Sequence, residues 1–296
     1  MPRTILFFGD SNMRGAGVGV EARFATLLAA DVVASNAGWA CAFGYSDSDL
    51  RVYPGRLAKS LTAHSPSIVV LQCPNGPLTF WINYPPWLRK LTALPHPTFQ
   101  WILARHIEAA VKSRPAGEST RHTVLSESLY IDAAYRWNIA QWVPFRQVRR
   151  LCALRYGTAP KTTAARYVEL IGRLRDQIRQ HDATAKILVL GPLPQSQDYY
   201  PGHRPRAAAW SAELAAALHR PGDGVSYVEL HAPLLRDGAR DLLLRDGRHL
   251  TPGAHRRVAD VVAPLLTQLI SEVDQAPSPQ RGERIAATEA GGGGAR

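Results

Sequence analysis

The sequence has few cysteines, few acidic residues and no long apolar segment. Its cysteines, Cys41, Cys73 and Cys152, are odd in number and include no CxxC pair, so they suggest neither a disulfide framework nor a thiolate zinc site. Only four apolar residues precede Gly9, too few for a signal peptide, and no run approaches the ~18 apolar residues of a membrane span. We therefore expect a cytoplasmic protein in a reducing compartment, with no membrane span.

The charge balance is basic, and lysine contributes little to it. The 296 residues include 35 Lys plus Arg against 24 Asp plus Glu, giving a formal net charge of +11. Most of the basic residues are arginines, which favour bidentate contact with phosphate or carboxylate, so an acidic partner is permitted but not required. The hydrophobic content of 46% suffices for a sizeable core in one large domain, with or without an insertion.

Short apolar runs alternate with amphipathic segments along most of the chain. The apolar runs suit buried parallel strands. They are Ile5–Phe8, Ile68–Leu71, Ile187–Leu190, Val225–Leu230 and, more weakly, Val32–Ala34. Between them the spacing predicts helices at Phe24–Ala30, around Tyr167–Ile178 and at Ala207–Leu218, with a final helix starting at Thr251-Pro252. This alternation predicts a three-layer α/β/α sandwich around a parallel sheet.

Two segments depart from this alternation. From about residue 77 to 163 the sequence has no clear strand, and it holds five of the seven tryptophans and the basic run Phe145–Arg150. We interpret it as a helical insertion into a domain of residues 1–272. Its aromatic and basic residues either form a packed subdomain with a solvated face or cap a ligand site with an anion-attracting rim. Residues 275–296 lack apolar periodicity and end in a glycine run, which predicts a disordered tail.

Polar residues follow the predicted strands at the positions where parallel sheets bind ligands. Gly9-Asp10-Ser11 follow the first strand, and Asn75 lies shortly after the Ile68–Leu71 strand. Asp246 and His249 precede the final helix. Ligands of open α/β sheets lie beyond the carboxyl ends of the strands, so we expect these side chains to converge at one edge.

These side chains have the chemistry required for nucleophilic catalysis. A serine hydroxyl needs a base within hydrogen-bond reach, and the pKa of histidine suits that task. Asp246, three residues before His249, can accept from Nδ1 and leave Nε2 facing Ser11. Asn75 can direct its side-chain NH₂ at a developing oxyanion, alongside the Ser11 N–H.

Four segments, in this order, resemble the GDSL/SGNH hydrolases. They are "FFGDSN" at residues 7–12, Asn36-Ala37-Gly38 after the expected second strand, Asn75 after the third, and D-x-x-H at residues 246–249. The resemblance implies a flavodoxin-like α/β/α sandwich with esterase, lipase or acyltransferase activity. It also implies that Ser11 is the nucleophile, that Asn75 donates to the oxyanion, and that Asp246 and His249 complete the triad.

The sequence departs from the family pattern in two places. The third motif of the family reads G-x-N-D, whereas residues 73–76 read Cys-Pro-Asn-Gly, so we expect a reshaped pocket near Asn75. The oxyanion glycine of the second motif has two candidates, because counting from Asn36 gives Cys41 and a longer loop gives Gly44. Candidate substrate contacts near the pocket are Asp10, which also suits a turn-forming role, and Asn12, Trp39 and Cys73.

Three functions remain open from the sequence. The favoured one is a serine esterase that cleaves a small or partly hydrophobic ester through an acyl-enzyme. In an acyltransferase of the same fold, the insertion would exclude water and admit an alcohol or amine acceptor, and its basic rim would dock an acyl thioester of coenzyme A or a carrier protein. The third is a non-catalytic binding protein that uses the basic insertion, for which nucleic acid is a disfavoured partner.

Neither a metal nor a cofactor is expected. His203, His231 and His255 match no zinc-ligand spacing. The glycine-rich segment at residues 15–20 falls short of the dinucleotide-binding fingerprint because Val20 stands where its last glycine belongs. The expected partner is therefore a small-molecule ester or acyl compound.

Overall fold

The central feature of the fold is a parallel sheet. The computed structural model describes residues 2–46, 51–78, 80–83, 85, 150–197, 202–218, 223–236, 241–244 and 247–276. The strands in these residues are β1 (Arg3–Gly9), β2 (Trp39–Tyr45), β3 (Ile68–Gln72), β4 (Phe80–Ile82), β5 (Thr158–Pro160), β6 (Lys186–Leu190) and β7 (Val225–Val228). Five of them form a parallel sheet of order β2-β1-β3-β6-β7, and β4 pairs with β5 in a small antiparallel sheet.

The central strands are apolar on both faces because helices cover both sides of the sheet. Phe7 and Phe8 of β1 are fully buried, yet they belong to different hydrophobic cores, since successive side chains of a strand point to opposite faces. The predicted strands beginning at Ile5, Ile68 and Ile187 are confirmed. The strand beginning at Val225 is also confirmed, although it ends at Val228 rather than at Leu230.

The helices form the two outer layers. The labelled helices within the described residues are α1 (Phe24–Ser35), α2 (Tyr53–His64), α3 (Ala164–His181), α4 (His203–Leu218), α5 (His231–Arg236) and α6 (Pro252–Gln275). One core contains buried residues of α1, α5 and α6, and the other contains buried residues of α2, α3 and α4. The three-layer α/β/α sandwich predicted from the sequence is therefore confirmed. No helix of the described residues has both the length and the apolar character needed to span a bilayer.

The second strand lies later in the chain than the sequence suggests. Val32–Ala34 is the last part of α1, in which Val32 packs into the core while Val33 is exposed. The weak strand prediction there is wrong because the helical pattern that starts at Phe24 overrides the preference of two β-branched residues. The true second strand, β2, begins only after Gly38, whose φ of +95° reverses the chain.

Strands occur at both ends of the predicted helical insertion. Phe80 of β4 pairs with Pro160 of β5, so the chain leaves and returns at neighbouring positions. The expectation of no strand between residues 77 and 163 is therefore wrong at these ends, while residues 150–156 are helical. The described residues include none of the insertion's tryptophan side chains and only Arg150 of its basic run. At the carboxyl terminus, α6 extends to Gln275, and residues 277–296 of the predicted tail lie outside the described residues.

The topology of the sheet indicates where a ligand would bind. The order β2-β1-β3-β6-β7 reverses direction between β1 and β3, and such a switch point opens a crevice at the carboxyl ends of the strands. Ser11 follows β1 and Asn75 follows β3. The candidate nucleophile and the candidate oxyanion donor therefore flank this switch point.

Candidate active site

The candidate nucleophile lies in a tight turn that requires a glycine before it. A Cβ on Gly9 would lie 2.5 Å from the Met13 Cβ and 2.6 Å from the Gln72 Oε1, a separation that real Cβ atoms do not show. After Gly9 the chain curls at once, and the Ala16 N–H donates to the Ser11 carbonyl oxygen at 2.9 Å. The apolar strand therefore ends at Gly9 because only a residue without a side chain leaves room for the turn that presents Ser11.

The fold brings Ser11 and His249 together across 238 positions of sequence. The His249 Nε2 lies 2.9 Å from the Ser11 Oγ, and this hydrogen bond is partly buried. The loop that carries His249 is held by the backbone, because the Leu244 N–H donates to the His249 carbonyl oxygen at 2.8 Å. The Thr251 N–H donates in turn to the Leu242 carbonyl oxygen at 3.0 Å.

A second hydrogen bond joins the same two loops. The Leu250 N–H donates to the Asn12 Oδ1 at 3.3 Å, one residue beyond the contact between Ser11 and His249. Asn12 is 1% exposed, so its side chain is held in the interior rather than presented to a substrate. Asn12, predicted to contact substrate, therefore lies against the loop of His249.

The Asp10 carboxylate lies beneath the turn and accepts three hydrogen bonds. Its Oδ1 accepts from the Asn12 N–H and from the Gln72 Nε2, both at 2.9 Å, and its Oδ2 accepts from the Asn75 N–H at 3.1 Å. Asp10 is 1% exposed, so it does not face a substrate directly. The turn-forming role predicted for Asp10 agrees with these contacts, which also join β1 to the segment after β3.

Gln72 also belongs to this network, although no sequence motif includes it. It is the last residue of β3 and is fully buried, and its side chain holds Asp10. A glutamine directly after the apolar run Ile68–Leu71 was the available signal, because a buried polar side chain at a strand end needs a partner.

The side chain of Asn75 is held through its oxygen, which leaves its nitrogen available as a donor. Its Oδ1 accepts from the Leu193 N–H at 3.0 Å, while its buried Nδ2 has no hydrogen-bond partner. The hydroxyl of Tyr167 donates to the Pro74 carbonyl oxygen at 3.0 Å and holds the preceding residue in place. The Ser11 N–H has no acceptor among the described residues. Two donors, one from each side of the switch point, therefore remain unused.

The two candidates for a further oxyanion donor lie at different positions along β2. Cys41 pairs with Ile5, four residues before Gly9, which corresponds to roughly 13 Å along a strand. Burial also raises the pKa of the Cys41 thiol to about 11, so it remains protonated. Gly44 pairs with Phe8 near the carboxyl end of the sheet, and a Cβ there would lie 2.6 Å from the Phe8 ring. Of the two, only Gly44 is brought near the site edge.

Two other predicted contacts do not reach the site. Trp39 pairs with Arg3 at the amino end of the sheet, roughly 20 Å from Gly9 along the strand, and donates from Nε1 to Asp274. Cys73 is fully buried among the side chains between the sheet and α3, and burial raises its pKa to about 12.

The second family motif is likewise displaced from the place expected for it. Asn36-Ala37-Gly38 precedes β2 rather than following it, so this segment lies at the amino edge of the sheet, away from Ser11. Asp246, the predicted partner of His249, lies outside the described residues.

The buried histidine of α6 has a structural role. The His255 Nδ1 accepts from the Phe24 N–H at 3.3 Å, and its ring stacks on that of Phe24. Burial lowers the pKa of His255 to about 3, and the positive charge of Arg23 acts in the same direction. Across the described ranges, no three His, Cys, Asp or Glu side chains are grouped as metal ligands.

Several solved structures share this fold. No protein-family model and no curated protein matches the chain. The structure of TesA matches 90% of this chain and 99% of its own, at 14% identity and a TM-score of 0.50. A lipase/acylhydrolase from Enterococcus faecalis matches 90% and 96% of the two chains, at 13% identity and a TM-score of 0.51.

A member of the lipolytic protein G-D-S-L family from Veillonella parvula matches to the same degree. It is 9% identical, with a TM-score of 0.51, and the match covers 90% of this chain and 99% of that one. At these identities the likeness shows the fold alone. The fold expected from the resemblance to the GDSL/SGNH hydrolases is therefore confirmed.

Proposed function

We propose that this chain is a serine hydrolase of the SGNH type, which cleaves a carboxylic ester through an acyl-enzyme. The observation that carries the proposal is the 2.9 Å separation between the Ser11 Oγ and the His249 Nε2. This distance is within the range required for a general base that takes the proton of a nucleophile. The fold shared with a solved lipase/acylhydrolase and with a solved member of the lipolytic G-D-S-L family supports the same reaction class.

In the first step, the Ser11 Oγ attacks the ester carbonyl carbon while its proton passes to the His249 Nε2. The carbonyl π electrons move onto oxygen, which gives a tetrahedral intermediate with one negative charge. Collapse of this intermediate breaks the bond to the alcohol oxygen, and His249 returns the proton to that leaving group. Water then attacks the acyl-Ser11 ester by the same route, releasing the acid and restoring the serine.

The oxyanion is stabilised by the two unused donors beside Ser11. The Asn75 Nδ2 and the Ser11 N–H belong to the segments after β3 and β1, so they approach the carbonyl oxygen from two strands. Asn75 is fixed before substrate binds, because its side-chain oxygen accepts from Leu193 and its backbone N–H donates to Asp10. Loss of one such donor typically lowers the rate by ~10²–10³-fold.

The third member of the proposed triad is Asp246. It lies three residues before His249, a spacing that lets a carboxylate accept from Nδ1 and stabilise the imidazolium. Its role rests on the sequence and on the resemblance to the family. Asp246→Asn would replace the carboxylate by a neutral amide. We expect kcat to fall, because the tautomer of His249 would no longer be fixed.

Hydrolysis of a short p-nitrophenyl ester tests the proposal. We expect turnover by the native protein, and we expect Ser11→Ala to lower kcat by at least ~10³-fold while the protein remains folded. The matched control is Ser271→Ala near the end of α6, which removes an exposed hydroxyl that bonds to the Thr267 carbonyl oxygen, away from the site. Equal rates for the native and the Ser11→Ala proteins would overturn the proposal. Added alcohol, with ester product followed by mass spectrometry, separates transfer from hydrolysis.

A further inference from the structure

Three buried polar side chains beyond β6 and β7 have no hydrogen-bond partners. Gln195 and His203 are 0% exposed and His231 is 4% exposed. Neither the amide oxygen nor the amide nitrogen of Gln195 is paired, neither ring nitrogen of His203 is paired, and the Nε2 of His231 is also unpaired. We call these three residues the distal polar cluster.

The members of the distal polar cluster come from three segments at the carboxyl edge of the sheet. Gln195 lies in the loop after β6, His203 begins α4, and His231 begins α5 just after β7. The ring centroids of His203 and His231 are 6.4 Å apart. The loop after β6 is tied to the start of α4, because the Gly202 N–H donates to the Gln197 Oε1 at 3.0 Å.

The distal polar cluster adjoins the candidate active site. The Ser196 N–H donates to the Gly247 carbonyl oxygen at 2.8 Å, which joins the residue after Gln195 to the loop that carries His249. The same loop after β6 also holds the oxyanion candidate, because the Leu193 N–H donates to the Asn75 Oδ1. A group bound at the distal polar cluster can therefore belong to a molecule whose ester carbonyl lies at Ser11.

Unpaired polar groups at this depth call for a bound partner. Burial of an unpaired polar atom is unfavourable, and native proteins satisfy nearly all such atoms with protein groups or ordered water. Here five unpaired atoms belong to only three side chains, and all three come from the same edge of the sheet. They therefore resemble a preformed binding site more than isolated packing faults.

The charges around the distal polar cluster favour an anion. Burial, followed by the positive charges of His231, Arg206 and Arg204, lowers the pKa of His203 to about 3. The positive end of the α4 helix dipole adds to this potential at His203. Burial lowers the pKa of His231 as well, and Arg204 acts in the same direction, while Glu229 opposes them. The Glu229 carboxylate already accepts from the Ala232 N–H at 3.1 Å. A second cation would be repelled here, whereas an anion would be attracted.

We propose that the distal polar cluster is a subsite for an anionic group, a carboxylate or a phosphate, carried by the ester substrate. The donors are the Gln195 amide and one ring nitrogen each of His203 and His231, with Arg204 supplying charge. The role in substrate choice rests on the proposed esterase function, whereas binding of the anion itself does not.

Binding is tested by thermal unfolding with two probes, inorganic phosphate and succinate, against sodium chloride at equal ionic strength. We expect at least one probe to raise the Tm of the native protein, and the probe that does so distinguishes phosphate from carboxylate. His203→Phe and the partly exposed Arg204→Gln should each lose this shift, while the control Arg173→Ala on the exposed face of α3 keeps it. No shift in the native protein with either probe, or an equal shift in His203→Phe and Arg204→Gln, would overturn the subsite.

Substrate choice is tested with p-nitrophenyl hemisuccinate and the neutral p-nitrophenyl valerate. We expect the ratio of kcat/KM for the anionic ester to that for the neutral ester to fall by about tenfold in Arg204→Gln and His203→Phe, which corresponds to one lost charge-assisted contact. Arg173→Ala should keep the native ratio. An unchanged ratio in both test variants contradicts the subsite. If the native protein hydrolyses neither ester, the esterase proposal fails, and the Tm shifts still decide whether the cluster binds an anion.

Discussion

At the scale of single residues, Asp10 connects the candidate nucleophile to the candidate oxyanion donor. Its carboxylate holds the Asn12 N–H beside Ser11 and the Asn75 N–H beyond β3. An ionised carboxylate accepts more strongly than a neutral group, so one side chain fixes the spacing between the attacking oxygen and a donor to the developing charge. Asp10 is a positioning residue in this account.

Asp10→Asn should lower kcat with little change in KM. One carboxylate oxygen becomes an NH₂ that faces other donors, so the turn at Ser11 and the segment at Asn75 lose their fixed spacing. We expect kcat to fall by about 10–100-fold and the free energy of unfolding to fall by about 1–3 kcal/mol. Asp31→Asn, which removes the same charge from the exposed face of α1, is the control. A rise in KM at constant kcat would instead indicate direct contact with substrate.

The residues of the site differ in how well the sequence predicts them. Ser11, Asn75 and His249 follow strands or precede a helix, so their convergence follows from topology alone. Topology does not give the position of a residue along its strand. For this reason Cys41 and Trp39 were expected nearer to the site than they lie. Strand register depends on cross-strand packing that a single sequence does not display.

At the scale of elements, the start of α6 holds the loop of His249. The Thr251 Oγ1 accepts from the Ala254 N–H at 3.2 Å, which caps the helix, and donates to the Asp241 carbonyl oxygen at 2.6 Å. Pro252 follows at the first helical position, where the lack of an N–H is tolerated. The Thr-Pro pair was therefore sufficient to predict this helix start.

Thr251→Ala should lower the free energy of unfolding by about 1 kcal/mol, because the cap of α6 is lost. The hydrogen bond to Asp241 is lost as well, so His249 is held less firmly, and kcat should fall by a few-fold. Thr251→Ser keeps the hydroxyl and should retain both properties. Denaturant unfolding and ester hydrolysis of the three proteins measure these effects, and equal loss in the serine variant would show that the methyl group, not the hydroxyl, matters.

Elements were predicted well where apolar periodicity was strong and poorly where it was weak. The three buried strands β1, β3 and β6 have continuous apolar runs, and all three were identified. The edge strand β2 is only partly buried, and alanine, glycine and cysteine separate its strand-favouring aromatic residues, so its strand signal is weaker than that of the central strands. The short strands β4 and β5 pair with each other and are only three residues long, so neither provides the four or more apolar residues in a row that predict a buried strand.

At the scale of the whole molecule, buried neutral histidines make stability depend on pH. The folded-state pKa of His255 is about 3 against an ordinary value of 6.5, because burial disfavours the imidazolium. The unfolded chain therefore binds more protons than the native protein between these two values. The contribution is fully present above pH 6.5 and is lost as the pH falls towards 3. His203 adds a contribution of the same sign.

His255→Gln should flatten the acid side of the stability profile. Glutamine does not titrate, and its side-chain oxygen can accept from the Phe24 N–H in place of Nδ1. We expect the free energy of unfolding of both proteins to fall between pH 6 and pH 4. The decrease should be steeper for the native protein than for the variant, by up to about 1.4 kcal/mol per pH unit. His181→Gln, at an exposed position of α3, should follow the native curve. Parallel curves for the native protein and His255→Gln would contradict the assignment.

Covalent labelling with a fluorophosphonate tests directly whether His249 activates Ser11. We predict one adduct per chain, located at Ser11 by peptide mass spectrometry, with fluoride as the leaving group. We also predict no adduct in Ser11→Ala and a rate lower by at least ~10²-fold in His249→Ala. A native protein that is not labelled, or is labelled equally fast without His249, would contradict the account.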